Sequence, residues 1–230
     1  MATIRLLTSN SVRGVLDEVL PRFERASGHQ VSASFDPAKI MLRRIRGGDT
    51  GDLALFAEPA IDELVQEGRL VAGSRRVLAR CGVGVAVRAG APKPDIGSVE
   101  AFKRALLDAR SIAHTLEGAS GMHFAGIVER LGIAAQVKAK ARTQGGGLIA
   151  EIVARGDAEL AIQQIPELMA VPGIEVVGPL PAEIQATTVS AAAIFTNAAQ
   201  PQAAQELIDF LASPETGKVY RAKGHDPVAA

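Results

Sequence analysis

Residues 3–28, TIRLLTSNSVRGVLDEVLPRFERASG, contain a short apolar strand, a polar turn and an amphipathic helix in that order. The apolar residues of 3–7 predict the strand, and the polar residues 8–11 predict the turn. The apolar positions that follow recur at helical spacing: Val12, Val15, Leu16, Val19, Leu20 and Phe23. Gly28 then predicts the end of the helix. This order is typical of the repeating unit of a parallel α/β sheet.

The same order recurs along the next residues. Residues 30–35 and 52–56 predict two more strands, and helices are predicted around residues 40–46 and from Pro59. A βαβαβα unit of this kind favours a parallel sheet with right-handed crossovers.

A second unit follows a long strand predicted around Val83, Val85 and Val87. Its predicted helices cover residues 98–107, 121–131 and 149–153. Its predicted strands cover residues 111–115, 137–142, 159–164 and 174–177. A strand of residues 187–195 and two helices, residues 200–211 and 215–222, complete the chain, with Pro214 separating the helices. We therefore predict an α/β protein of two lobes: residues 1–81 with 190–230 as lobe I, and residues 82–189 as lobe II.

The composition excludes several functional classes. The 230 residues include 25 basic and 25 acidic side chains, so no overall field attracts nucleic acid or an anionic membrane. A single Cys excludes an internal disulfide and any metal site built from several Cys residues, and we predict neither a metal nor a cofactor. Aromatic residues make up 3% of the chain, which disfavours a surface that stacks sugars or bases.

No run approaches the roughly 18 apolar residues of a membrane span, so no membrane insertion is expected. Residues 1–7 show neither a basic leader segment nor a long apolar one. We therefore expect a cytoplasmic protein as the sequence is written, or a periplasmic one whose leader has been removed.

Three polar turns each follow a predicted strand and precede a predicted helix. They are Ser9-Asn10-Ser11, the segment 117–123 (EGASGMH) and the segment 144–147 (QGGG). Ligands of open parallel sheets bind beyond the carboxyl ends of the strands, where helix N-termini offer free N–H groups to an anion. The alternative for each turn is an ordinary helix cap or a Gly-containing loop. For the second turn we place Ser120 at the N-cap.

Four further side chains are candidates for ligand contacts. Lys39, expected just before the second helix, could neutralise an anion, and Gln163 and Gln164 could donate from a strand end. His123 could act as an acid or base. The alternatives are a packing or solvent role for His123 and, for the two Gln residues, positions on opposite faces of the sheet with one side chain in solvent.

Several segments together resemble the type II periplasmic solute-binding proteins, in particular their molybdate-type branch. The resemblance covers nearly the whole chain and rests on these stretches: residues 6–11 (LLTSNS), 23–31 (FERASGHQV), 42–48 (LRRIRGG), 51–56 (GDLALF), 119–121 (ASG), 155–160 (RGDAEL) and 210–214 (FLASP). It implies two lobes, each a mainly parallel sheet flanked by helices, with a ligand cleft between them. It also implies hinge closure over one small anion.

The resemblance also implies ligand-binding positions. They are the turn Ser9, Asn10 and Ser11; Ala38 or Lys39; Ser120, Gly121 and Met122; Gly146; and Gln164. Two of them depart from the family pattern, because Ala38-Lys39 stands where a neutral Ser is expected and Gln164 where a Tyr is expected. A cationic Lys with amide donors suits a carboxylate better than a metal oxyanion, so we expect a di- or tricarboxylate ligand, with a molybdate-like oxyanion as the alternative.

Two functions remain open on this scaffold. The first is a solute-binding protein that delivers the anion to an ABC transporter, with the transporter permease as partner. The second is an isomerase of an unsaturated carboxylate, similar to aconitate isomerases, in which Lys39 or His123 transfers a proton. A third, the sensor domain of a transcriptional regulator, is disfavoured because no DNA-binding helix-turn-helix precedes the first strand.

Overall fold

The chain forms two units, and the computed structural model describes residues 1–228. Unit 1 comprises Met1–Arg80 and the described residues from Thr188 onward, and unit 2 comprises Cys81–Thr187. The chain therefore passes from one unit to the other twice, at residues 80–81 and again at residues 187–188.

The strands of the two units alternate with helices along most of the chain. The strands are β1 (Thr3–Ser9), β2 (Gln30–Asp36), β3 (Leu53–Ala57), β4 (Arg76–Arg88), β5 (Ile112–Thr115), β6 (Ala141–Gln144), β7 (Leu160–Gln164), β8 (Ile174–Pro179), β9 (Thr187–Ile194) and β10 (Asp226–Pro227). The α-helices are α1 (Arg13–Ser27), α2 (Ala38–Arg46), α3 (Glu58–Gln66), α4 (Val99–Asp108), α5 (Ala119–Arg130), α6 (Ala134–Ala139), α7 (Ala150–Ala154), α8 (Ile165–Met169), α9 (Pro201–Leu211) and α10 (Pro214–Ala222).

Unit 1 is built on a mainly parallel sheet with the strand order β2-β1-β3-β9. Strand β1 runs parallel to both β2 and β3, whereas β9 runs antiparallel to β3. Ser9 at the end of β1 pairs with Asp36 at the end of β2, so the carboxyl ends of the parallel strands meet at one edge. This edge carries the first predicted ligand turn.

Helix α1 shows why the first prediction succeeds. Its apolar residues are buried against one face of the unit 1 sheet, as their spacing requires. The helix ends where Gly28 adopts a left-handed conformation with φ of 73°, which glycine adopts without steric cost. The opposite face of the same sheet is covered by a second apolar cluster that includes Met41, Ile45 and Phe56.

Unit 2 has the strand order β4-β7-β5-β6, with β8 also paired to β4. Strand β5 is parallel to β6 and β7, and β4 is antiparallel to β7. Phe102 of α4 and Phe124 of α5 are fully buried in the core of this unit. Thr115 pairs with Gln144, so the second and third predicted turns leave the sheet at the same edge.

One predicted strand is wrong and two short elements were not predicted. Residues 137–142, predicted as a strand, are divided between helix α6 and strand β6. Val137 and Ile133 lie four residues apart and are both buried, which is the spacing of a helical face rather than of a strand. Helix α8 and strand β10 are the unpredicted elements. Across residues 1–228, every helix is too short or too polar to cross a bilayer.

Candidate functional site

The first predicted turn lies at the carboxyl end of β1 in unit 1. Ser9 is the last residue of the strand, and a single 3-10 turn, Asn10–Val12, leads into α1. The hydroxyl oxygens of Ser9 and Ser11 lie 2.9 Å apart, so one of them donates to the other. Ser9 is buried, Ser11 is half-buried and Asn10 is exposed, which leaves this short hydroxyl pair at the rim of the sheet.

A buried histidine lies beneath this turn. His225 precedes β10, is 2% exposed and forms a hydrogen bond to the Ser11 backbone. Burial lowers the pKa of His225 to about 4, so the imidazole is neutral at physiological pH. A neutral ring supports the turn without adding a charge next to its hydroxyl groups.

Lys39 lies in the first turn of α2, one residue beyond Ala38, rather than before the helix as predicted. Both residues are exposed, and the Lys39 ammonium has no hydrogen bond or ion pair within residues 1–228. Its neighbour in the preceding strand, Asp36, is instead bound by Arg44, which also binds Asp49 at 2.7 Å. Unit 1 therefore presents an unpaired cation at the start of α2.

The second predicted turn joins β5 to α5 in unit 2. The N-cap of α5 is Gly118, so the prediction of Ser120 at the N-cap is wrong, and Ser120 is the second residue of the helix. A Cβ on Gly121 would lie 1.8 Å from the Thr115 carbonyl oxygen, so only glycine allows this close approach of helix to strand. Gly121 is buried against its own chain, whereas Met122 is exposed.

Two hydroxyl groups carried by buried residues lie at this helix start. Ser120 is 4% exposed, and its hydroxyl has no hydrogen bond within residues 1–228. The Oγ1 atom of Thr115 is also buried without a partner in the described chain. Unpaired hydroxyl groups beside the first N–H groups of a helix are suited to binding an anion.

The third predicted turn is held in place by Gln163. Its Nε2 donates to the Gly147 carbonyl at 2.7 Å, and its Oε1 accepts from the Ile149 N–H at 2.9 Å. Gly146 lies in this loop and is exposed. Gln163 and Gln164 are both buried, so the alternative in which one of the pair is solvated is wrong.

Helix α8 brings an acidic group to the same strand end. Desolvation by burial raises the pKa of Glu167 to about 7, so its carboxyl group titrates near neutral pH. The Gln163 side chain and the Gln164 backbone favour the charged form of Glu167 and so lower its pKa against this larger effect. The Oε1 atom of Gln164 accepts from the Cys81 thiol at 3.8 Å, a weak contact. Gln164 therefore shares its strand end with an acid that the sequence pattern did not single out.

His123 has a more restricted role than predicted. Its Nε2 lies 2.8 Å from the Ile184 carbonyl oxygen, which only accepts hydrogen bonds, so Nε2 carries the proton and donates. The imidazole is half-buried in the first half of α5. Only Nδ1 remains for chemistry with a ligand.

The donor set of the ten predicted ligand positions is hydroxyls, amides and one ammonium, without a carboxylate. Unit 1 gathers Ser9, Asn10, Ser11, Ala38 and Lys39 at the edge where β1 and β2 end. Unit 2 gathers Ser120, Gly121, Met122, Gly146 and Gln164 at the edge where β5, β6 and β7 end. Within residues 1–228, no group of three or more His, Cys, Asp or Glu side chains is placed to hold a metal ion.

The residues near the site that the sequence did not single out are Thr115, Glu167 and His225. Each acts through a partner distant in sequence or through burial, which no local pattern reveals. A groove of about 680 Å³ in unit 2, which includes Arg88, Arg104 and Leu160, contains none of the predicted site residues.

The chain is similar to known proteins over nearly its whole length. The chain is 34% identical to an aconitate isomerase of Pseudomonas sp., over 100% of this chain and 90% of that protein. It is 29% identical to the molybdate-binding protein ModA of Azotobacter vinelandii, over 97% of this chain and 90% of that protein. The solved structure of the periplasmic molybdate-binding protein of Azotobacter vinelandii superposes with a TM-score of 0.77 at 20% identity, covering 96% of this chain and 98% of that one.

These matches confirm the predicted resemblance and the predicted fold class. The family of bacterial extracellular solute-binding proteins matches residues 4–226, which is nearly the whole chain. The chain belongs to this family of bacterial extracellular solute-binding proteins.

Proposed function

We propose that this solute-binding protein takes a small organic polycarboxylate, of the class to which aconitate belongs, as its ligand. The observation that carries the proposal is Lys39, an unpaired ammonium group at the start of α2 in a donor set otherwise made of neutral groups. The 34% identity to a protein named aconitate isomerase supports the same ligand class.

The chemistry of the donors favours carboxylates. Hydrogen bonds from an ammonium group to a carboxylate are roughly twice as strong as those between neutral groups. Ser9 and Ser11 in unit 1, and Ser120 with the N–H groups of α5 in unit 2, offer donors for further carboxylate oxygens. Each of the two groups of donors suits the carboxylates of such an anion.

A ligand panel tests this proposal by thermal shift. Ligands that bind the folded chain raise its melting temperature in proportion to the logarithm of their concentration over Kd. We expect trans-aconitate, cis-aconitate or citrate to raise the melting temperature and molybdate, tungstate and sulfate to leave it unchanged. Stabilisation by the oxyanions alone would contradict the proposal.

A second candidate function, favoured by the similarity to the Pseudomonas protein, is isomerisation of aconitate. In this reaction a base takes a proton from the methylene carbon, the double bond shifts by one position, and a proton returns to the former vinylic carbon. The step needs no oxidant or reductant. Hydroxyl and N–H donors such as those of Ser11 and Ser120 would stabilise the negative charge that spreads onto the substrate carboxylates.

The candidates for the proton transfer are Lys39, which would have to act as the neutral amine, and Nδ1 of His123, whose lone pair is free because Nε2 carries the proton and donates it to the Ile184 carbonyl. Proton NMR of cis- and trans-aconitate incubated with the chain in D₂O measures turnover directly. We expect interconversion with deuterium incorporation for the wild type and none for the variant that lacks the base, Lys39→Ala or His123→Phe. Tight binding without interconversion would leave transport as the function and overturn the isomerase candidate.

For the transport function, the family implies a permease partner and a location outside the cytoplasm. We propose both for this chain on the strength of its membership in the extracellular solute-binding family. Fractionation of cells that express the full-length gene tests the location, and recovery in the cytoplasmic fraction would contradict it.

A further inference from the structure

The side chain of Gln185 forms a clamp on strand β4 inside unit 2. Its Oε1 accepts from the Val83 N–H at 2.8 Å, and its Nε2 donates to the Val83 carbonyl at 2.9 Å. The same Oε1 also accepts from the Ala186 N–H at 2.9 Å. One amide side chain therefore satisfies both backbone groups of Val83, as a neighbouring strand would.

The clamp begins where regular strand pairing ends. Strand β8 pairs with β4 from Arg88 to Gly84 and stops there. At Val83, the next residue of β4, Gln185 adds its two hydrogen bonds to a backbone bond in which the Leu180 N–H donates to the Val83 carbonyl at 3.0 Å. It thus connects two segments of unit 2 that are far apart in the sequence.

Gly82 leaves the space that the clamp needs. A Cβ on Gly82 would lie 2.8 Å from Nε2 of Gln185, closer than real Cβ atoms approach such an atom. Any other residue at position 82 would therefore push the Gln185 amide away from Val83.

Both ends of the clamp lie next to the points where the chain changes units. Gly82 and Val83 follow the first passage, at residues 80–81, and Gln185 precedes the second, at residues 187–188. The clamp therefore joins the two connecting segments on the unit 2 side.

His123 links this clamp to the candidate site. It lies on α5 one residue after Met122, and its Nε2 donates to the carbonyl of Ile184, the residue before Gln185. Ile184 itself is 8% exposed. The hydrogen bond of His123 to Ile184, the peptide bond from Ile184 to Gln185 and the hydrogen bonds of Gln185 to Val83 thus connect the first turns of α5 to β4.

We propose that His123 and Gln185 are positioning residues that couple the ligand-binding start of α5 to the two connecting segments of the chain. Anion binding at α5 would order the clamp, and the clamp in turn would hold α5 in its binding conformation, because coupling between two sites is reciprocal. The ligand part of this inference rests on the proposed function. The coupling itself can be measured without any ligand.

Hydrogen exchange of the ligand-free protein provides the first test. In Gln185→Ala we expect the Val83 and Ala186 amides to exchange about tenfold faster or more. The exchange rate of the Met122 amide in α5 should also increase. Faster exchange at Val83 with an unchanged Met122 amide would overturn the coupling. Unchanged exchange at Val83 would overturn the clamp.

A double-mutant cycle checks that the clamp is the cause. Gly82→Ala should reproduce the faster exchange of Gln185→Ala, because the new methyl group displaces the amide. In the double variant, the Val83 and Ala186 amides should exchange no faster than in Gln185→Ala, because removal of the Gln185 amide makes room for the new methyl group. Additive effects would contradict the clamp. The matched control is Gly126→Ala in α5, where a Cβ meets nothing within 4 Å.

Binding of trans-aconitate tests the link to the ligand. In the wild type, saturating trans-aconitate should slow exchange at Val83, and His123→Phe should abolish this slowing and weaken binding about fivefold or more. His123→Gln retains a hydrogen-bond donor, so it should restore part of the slower exchange at Val83 and part of the binding affinity. If the wild type binds no anion, the proposed function is wrong, and hydrogen exchange of the ligand-free protein still tests the coupling. If trans-aconitate binds but exchange at Val83 does not change, the coupling is wrong and the proposed function is unaffected.

Discussion

A Cβ atom on Gly121 would lie 1.8 Å from the carbonyl oxygen of Thr115. The first turn of α5 thus rests directly on the end of β5, and this approach fixes where the N–H groups of the helix start point. Gly121 was predicted as a ligand contact, and in the structure its lack of a side chain serves the contact between helix and strand.

Replacing Gly121 by Ala should therefore lower the free energy of unfolding by about 2–4 kcal/mol, because backbone must move to admit the methyl group. Denaturant unfolding measures this loss. The control Gly126→Ala lies in the same helix in open space, so it should be neutral or more stable by up to about 1 kcal/mol. Equal stabilities of the two variants would contradict the close packing at Thr115.

Ser120 has a hydroxyl without a partner in the described residues, so its removal should affect binding more than folding. We expect Ser120→Ala to weaken trans-aconitate binding by about 1 kcal/mol, roughly fivefold, with little change in stability. Ser98→Ala provides the opposite case, because Ser98 caps α4 by accepting from the Ala101 N–H at 3.1 Å. That variant should lose about 1 kcal/mol of stability and bind normally. Calorimetry and thermal unfolding of both variants separate the two effects.

Lys39 should contribute a charge-assisted hydrogen bond to the ligand. Lys39→Gln is expected to weaken trans-aconitate binding about tenfold or more, and the loss should shrink at high salt. Arg43→Gln is the matched control, because Arg43 is an exposed cation of the same helix without a partner in residues 1–228. It should change affinity by less than about twofold. Similar losses in both variants would show a diffuse charge effect in place of a specific contact.

His225 should make the folded chain sensitive to acid. Its pKa is 6.5 in the unfolded chain and about 4 in the folded one, so the folded state binds fewer protons between these values. The stability contributed by the neutral ring is therefore complete above pH 6.5 and is lost as the pH falls to 4, by up to about 3 kcal/mol. Unfolding of the wild type and His225→Phe from pH 7.5 to 4 measures the difference. A parallel pH dependence in both would contradict this role.

The features that could be predicted from the sequence are those that depend on residues close together in the chain. The strand that ends near Ser9 and the helix that ends at Gly28 follow from apolar spacing and glycine chemistry. The family resemblance rests on several short segments in a characteristic order. Glu167 and His225 could not be predicted, because their pKa values depend on burial by segments distant in sequence. The Gln185 clamp could not be predicted either, because its partner Val83 is 102 residues away in the sequence. The predicted strand of residues 137–142 failed because an alternating pattern and a helical face are hard to separate in a six-residue segment.

The identity of the preferred anion tests the central claim most directly. Isothermal titration calorimetry of the chain, after unfolding and refolding to remove any carried ligand, should compare trans-aconitate with molybdate in one buffer. We predict saturable binding of trans-aconitate that is at least about tenfold tighter than that of molybdate, because Lys39 adds a charge-assisted hydrogen bond. Tight binding of molybdate without measurable binding of trans-aconitate would contradict the account.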